Sequence, residues 1–198
     1  MVLRLRPSPP LLPGLTFEPM DLRRLPEIRA MQIGAFRVAS ARCYDEPEVR
    51  AYESYIANAG TADRLKSHDT ELALVGGQLV GTAGWAQSGD DGALARLTNL
   101  FVDPLFMHLG IGSALAERAE RRAQLAGYAK VAVRAPLLLT AFFERLGYEL
   151  SSYGSFSPKQ GIELPIAFLK KPLARPTHRE MPLLRLDTVT AHPLPSHA

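Results

Sequence analysis

Cysteine is almost missing from this chain: Cys43 is the single one among 198 residues. One thiol closes no intramolecular disulfide and builds no multi-cysteine zinc site, and such sparing use fits a reducing compartment. Long apolar runs are missing as well, since no stretch reaches the roughly 18 residues that a membrane-spanning helix needs. The opening "MVLRLRPSPPLLPG" has two arginines but no apolar core of the length a secretory signal requires. Charge of one sign never gathers into a block. The 23 Lys and Arg against 20 Asp and Glu leave a formal charge of +3, a balance that by itself suits a small anion or a nucleic acid equally. The expectation is a protein of the cytoplasm without a membrane span.

What is present is globular. Hydrophobic residues at 46% and charged residues at 22% are ordinary for a chain that buries a core. Prolines crowd the two ends, which divides the chain into an irregular segment 1–14, a compact domain 15–173 and a proline-rich extension 174–198. Within the domain, "LTFEPM" reads as a strand. Leu25, Ile28, Met31, Ala35 and Val38 mark a helix face at three- and four-residue steps. In "DEPEVRAYESYI", Asp45 is placed to cap a second helix, with Glu48 closing a capping box and Val49, Tyr52 and Ile56 on one side. "ELALVGGQLVGTAGW" reads as a hairpin turning at Gly76-Gly77.

"ALARLTNLFV" is the central strand, and its alternation slips. Ala95 and Leu97 share one parity, Leu100 and Val102 the other. A β-bulge at 98–100 produces such a slip, and so does a strand buried on both faces. A helix follows from Gly112 to Ala126, with Leu115, Ala119, Ala123 and Ala126 inward and Gly127 as its stop. "AKVAVRA" is a further strand. "LLLTAFFERLGYEL" holds a short helix with Leu139, Phe142, Phe143 and Leu146 on one side. The alternation of elements describes an α/β protein with a mixed sheet and helices on both faces.

Gly110 and Gly112 lie between the central strand and the helix, where unpaired N–H groups and a partial positive charge gather. A lone G-x-G fits a tight turn as well as a phosphate site. No Lys-Ser/Thr follows the second glycine, which excludes a Walker A loop. A dinucleotide fingerprint fits poorly: Leu115 stands at its third glycine, seven residues separate the strand from Gly110, and the next strand closes on Arg134 instead of an acid. An arginine there still leaves room for a variant NADP site.

"NLFVDPLFMHLGIGSAL" resembles the acyl-CoA-binding core of the GNAT (Gcn5-related N-acetyltransferase) superfamily: a strand ending aliphatic-aromatic-Val-x-Pro, then Q/R-x-x-G-x-G/A opening a helix. "FFERLGYEL" similarly resembles that family's "FYE-x-LGF" junction, and the hairpin resembles the two strands before the core. The resemblance covers roughly residues 15–173. It implies a mostly antiparallel mixed sheet whose middle strands splay apart, with helices on both faces. Acetyl-CoA is the implied cosubstrate. Backbone N–H groups of His108, Leu109, Gly110, Ile111, Gly112 and Ser113 would cradle its pyrophosphate. The backbones of Leu100, Phe101 and Val102 would pair with its pantetheine arm, and an N–H near Phe101 or Val102 would polarise the thioester. The acyl group would pass directly to a small-molecule or peptide amine, with neither nucleic acid nor membrane as partner. A homodimer is left open by the apolar "MPLLRL" of the extension.

The chain departs from the family pattern in several places. Met107 and His108 replace the usual Arg or Gln and a frequent glycine. Phe143 stands where the family's proton-donating tyrosine falls, and neither "RLTN" nor "VAVRA" offers a carboxylate base. Tyr44, just before the second helix, is the candidate donor, unless it only packs that junction. Cys43 reads as a small side chain and Asp90-Asp91 as a solvated loop. An acyl-CoA-binding sensor or interaction module without efficient transfer is the alternative function.

Overall fold

Residues 12–88 and 94–174 are described by a computed structural model. Seven strands form one sheet: β1 (Leu15–Pro19), β2 (Glu71–Val75), β3 (Gln78–Ser88), β4 (Leu94–Val102), β5 (Lys130–Pro136), β6 (Glu149–Lys159) and β7 (Ile162–Pro172). Their spatial order is β1-β2-β3-β4-β5-β7-β6, and only β4 and β5 run parallel. Among the described residues five α-helices accompany them: α1 (Leu25–Ser40), α2 (Glu46–Ala57), α3 (Thr61–Ser67), α4 (Ile111–Leu125) and α5 (Thr140–Arg145). The mostly antiparallel sheet with helices on both faces is the fold class expected. The terminal segments 1–11 and 175–198, and the loop with Asp90 and Asp91, lie outside the described residues.

Local chemistry accounts for most boundaries. The Asp45 side chain accepts from Glu48 N–H at 2.9 Å while the Glu48 carboxylate accepts from Asp45 N–H at 2.8 Å, so the capping box is complete. Gly76 and Gly77 hold φ of 57° and 85°, the pair of positive values that a two-residue hairpin turn requires. Pro26 sits in the first turn of α1, where its missing N–H has no intrahelical partner to lose.

Two faces of the sheet are packed differently. Beneath α4 lie small residues: Ala116, Ala119 and Ala123 of the helix meet Ala73, Ala83, Ala95 and Val131, all fully buried. On the opposite face Ile28, Met31 and Leu65 pack on Leu72, Leu74 and Leu79, and Phe36 and Ile56 on Leu164. Expectation and structure part at single positions. Val38 is 55% exposed, and Phe36 and Gln32 take the buried face of α1 instead. Ala126 is exposed because it is already the C-cap of α4. The seven-residue α3 had no signal of its own, being too short to show a period.

Gly84 is required by close packing. A Cβ there would stand 2.3 Å from the His68 carbonyl oxygen and 3.0 Å from Thr70 Cα, both backbone atoms. Gly34, within α1, has nothing within 4 Å. Gly84→Ala is therefore expected to lower unfolding free energy by about 1–3 kcal/mol. Gly34→Ala is expected to raise it by about 0.4–1 kcal/mol, by restricting the unfolded chain. Urea denaturation of the two variants beside the parent checks the contrast.

Candidate functional site

The alternation slip in β4 is a bulge. Thr82 faces Phe101 and Gly84 faces Thr98, so two steps on β3 match three on β4. Asn99 takes up the extra length with φ of 53°, and its carbonyl turns to accept from Thr82 Oγ1 at 2.6 Å. On its other edge β4 pairs with β5 at only two positions, Ala95 with Val131 and Arg96 with Ala132. β5 then continues to Pro136, paired with β7 alone. The two central strands thus diverge beyond Arg96.

Backbone parity says which groups face that opening. Asp103 N–H donates to Val80 C=O at 2.9 Å across to β3. Donors alternate sides along a strand, so Phe101 N–H points to β3, and those of Leu100 and Val102 point to the gap. Of the two donors the sequence offered, Phe101 and Val102, only the second faces the opening, joined by Leu100. Such backbone groups demand a partner from outside the sheet.

Past Val102 the chain makes a 3-10 turn at Pro104–Phe106, begun by Asp103, whose carboxylate accepts from Leu105 N–H. His108 and Gly110 then both adopt left-handed conformations, φ 65° and 81°. Gly110 caps α4 with no side-chain bond, and the first helical bond runs from Ala114 N–H to Gly110 C=O at 3.0 Å. The N–H groups of Ile111, Gly112 and Ser113 are left to point out of the helix end, where an anion is favoured. His108 and Leu109 are exposed beside them. A Cβ at Gly112 would sit at ordinary contact, 3.5 Å, from Val102 and Phe142, so this glycine adjoins the end of the opened strand.

A different chemistry lines the opposite face. Strand parity puts Arg96 and Thr98 of β4 and Arg134 of β5 on the side away from α4, because Ala95, Leu97, Val131 and Val133 fill the α4 side. The segment 68–70 crosses over Gly84 on the same side as Arg96. Arg122 of α4 anchors it from beyond the strand, through Asp69 Oδ2 at 2.9 Å, Asp69 C=O at 2.9 Å and Glu71 at 2.8 Å. Thr70 Oγ1 accepts from Asn99 Nδ2 at 3.0 Å, and His68 Nδ1 lies 3.5 Å from the same nitrogen. A small cleft, open to solvent, is lined here by Gln32, Tyr52, Tyr55, Arg64, Asn99 and Phe101, among others. His68 and Arg96 escaped sequence reasoning. The parity of "ALARLTN" carried the signal for Arg96, whereas nothing local marks His68.

Tyr44 lies at the α1–α2 junction, stacked on Phe36 in the aromatic cluster that Phe101 also joins. Its O–H donates to Pro165 C=O at 2.8 Å, and burial, first of all, pushes its ionisation well above the usual range. Phe143 is 2% exposed and packs edge-on against Tyr148 in the core, so Phe142 is the ring beside Gly112 and Val102. Cys43 is half-buried.

Burial, then the charges of Arg96 and Arg64, hold His68 below its ordinary pKa of 6.5. Above pH 6.5 neither folded nor unfolded chain binds this proton, and the stability it brings is complete. As pH falls through 6.5 the unfolded chain binds it first, and stability declines until the lower folded value is passed. The expected result is a smaller drop in urea midpoint between about pH 7 and pH 5 for His68→Gln than for the parent.

Comparison with known proteins agrees with this geometry. The model of the acetyltransferase (GNAT) domain matches residues 40–164, more than half of the chain. Among solved structures, a GCN5-related N-acetyltransferase from Rhodopseudomonas palustris superposes with a TM-score of 0.73 at 22% identity, over 82% of this chain and 98% of that one. The PaiA N-acetyltransferase of Thermoplasma acidophilum, in complex with coenzyme A, gives 0.65 at 14% identity, over 80% and 98%. YncA from Salmonella typhimurium, with its cofactor acetyl-CoA, gives 0.57 at 17%, over 82% and 96%. At these identities the structures speak for the fold, and the domain match speaks for descent. The chain belongs to the GNAT acetyltransferase family.

Proposed function

We propose that the protein transfers an acetyl group from acetyl-CoA directly to an amine. The observation that carries this reading is a pair of backbone donor groups at one end of the gap: the parted edge of β4 at Leu100 and Val102, and the uncapped start of α4. The site suits that cosubstrate in shape and charge. The N–H groups of His108 to Ser113 hold the pyrophosphate, with the helix end supplying partial positive charge. The edge of Leu100, Phe101 and Val102 accepts the amide-rich pantetheine arm as an added strand, through the groups of Leu100 and Val102. Leu100 N–H, just after the bulge, faces the thioester carbonyl and stabilises the negative charge that grows on its oxygen during attack. Attack occurs from the His68–Arg96 face, because α4 and its alanines close the other side of the sheet.

In direct transfer the amine nitrogen bonds to the acetyl carbon, the carbon–sulfur bond breaks, the sulfur takes up a proton, and the nitrogen gives one to solvent. Tyr44 is the candidate for the proton that reaches the sulfur. Its own proton is bonded to Pro165, so donation requires that bond to open. If Tyr44 is the donor, Tyr44→Phe lowers kcat by about 10²-fold at unchanged KM for acetyl-CoA. A change below about threefold, with a lowered Tm, leaves it only the tie to Pro165.

Ser113 stands at the third position of α4, where a carboxylate favours the helix and repels a phosphate. Ser113→Glu is expected to keep or raise Tm without ligand and to abolish the Tm rise given by millimolar acetyl-CoA. Ser113→Ala is expected to retain that rise, since the cradle is main-chain. Calorimetry of both variants checks the assignment. The second reading, a CoA-binding module without transfer, rests on Phe143 being in the core and Tyr44 being bonded elsewhere. It predicts stabilisation by acetyl-CoA with no release of free thiol in the presence of amines.

A further inference from the structure

The acceptor side of the parted strands is cationic in an unusual way. Arg96 is half-buried, and among the described residues it has no hydrogen bond and no ion pair. By contrast Arg64, also half-buried on this side, has partners: it donates to Tyr55 C=O at 2.9 Å and Thr61 Oγ1 at 2.6 Å and lies 4.1 Å over the Tyr55 ring. Arg134, two residues beyond Ala132, the partner of Arg96 on β5, is exposed and sits over Phe168 at 5.7 Å. Arg134 is close enough to act on Arg96, and Arg96 and Arg64 are close enough to act on His68. Burial and then Arg134 make it harder for Arg96 to stay charged, and burial, then Arg96 and Arg64, lower the pKa of His68. The cleft beside them has no carboxylate in its lining.

A partly desolvated guanidinium without a counter-charge is unfavourable, and an anion entering from outside relieves it. The same field disfavours acceptors that are only cationic. Its place also fits: Arg96 is the last residue at which β4 and β5 pair, so it stands at the point where the gap opens.

We propose that the acceptor is a small amine that also carries an anionic group, a carboxylate or a phosphate, and that Arg96 is the residue that holds it. The proposal rests on the acetyl-transfer reading. Arg64 and Arg134 supply field on either side, and Arg134, being at the exposed rim, guides the anion inward. Bound in this way, the anion anchors the acceptor beside the bulge, with its amine free to turn toward the thioester at Leu100.

The test compares acceptors that differ only in the anion: an α-amino acid with its carboxamide, phosphoethanolamine with ethanolamine, and spermidine as the purely cationic case. Free-thiol release is measured for the parent and for Arg96→Gln, with acetyl-CoA binding followed separately by thermal shift. The parent is expected to prefer the anionic member of at least one pair by about tenfold in kcat/KM, the worth of one charge-assisted hydrogen bond. The pair showing the larger ratio distinguishes carboxylate from phosphate. Arg96→Gln is expected to bring that ratio below about threefold through KM. It should also leave the acetyl-CoA shift intact and not lower Tm, because it removes an uncompensated charge. Equal rates within both pairs, a preference for spermidine, or a ratio that survives Arg96→Gln overturns the proposal. Acetyl-CoA binding without acetylation of either anionic amine also overturns it, while the absence of any acetyl-CoA shift overturns instead the transfer reading beneath it.

Discussion

Two neighbouring parallel strands that pair at only two positions are the constraint from which the rest follows. A sheet normally satisfies its backbone internally, and interior strands leave few groups over. Here the bulge at Asn99 lets β4 keep its ladder with β3 while its other edge swings away from β5. β5 stays in place because β7 pairs along its whole length, from Lys130 to Pro136. A gap opens in the middle of the sheet without unfolding either half of it. The bulge is in turn held by Thr82, which accepts from Gln32 of α1 at 3.2 Å and donates to the Asn99 carbonyl.

The gap has two unlike sides. Toward α4 the packing is dry and close, and alanines allow the helix to press on β3 and β4 so that its N-terminus arrives beside Val102. Away from α4 the surface is polar and aromatic, formed by elements far apart in sequence. His68, Asn99 and Thr70 meet only because segment 68–70 crosses Gly84, which has no side chain to prevent it. Arg122 and Arg118 reach round from α4 to Asp69 and Glu71, so the helix whose uncapped N-terminus borders the gap also steadies its far side.

What could be read from the sequence was what short-range chemistry decides. The capping box of Asp45 and Glu48, the turn at Gly76-Gly77 and the parity slip in β4 each lie within a few residues and were legible for that reason. The slip alone left bulge and two-faced burial open, and the register with β3 decides for the bulge. Assemblies across the sheet were not legible. Arg96 and Arg134 meet because β4 lies beside β5, and Tyr44 meets Pro165 across 121 positions of chain. The order β5-β7-β6 puts the last strand inside the sheet, a choice that no local pattern announces. Val38 misled because the buried side of the last turn of α1 is set by Phe36 and Ser40, which leaves Val38 facing solvent.

The division of labour across the gap bears on how such a protein can be altered. The side proposed for the donor is written in main chain, and peptide groups are the same whatever side chains they carry, so most substitutions there would leave a bound thioester held as before. The side proposed for the acceptor is written in side chains, one guanidinium or imidazole at a time. On the proposed reading, exchanging Arg96 or Arg134 would change the preferred amine without redesigning the half that holds the thioester. A backbone-built half is robust and a side-chain-built half is adaptable, and the bulge at Asn99 is the seam between them.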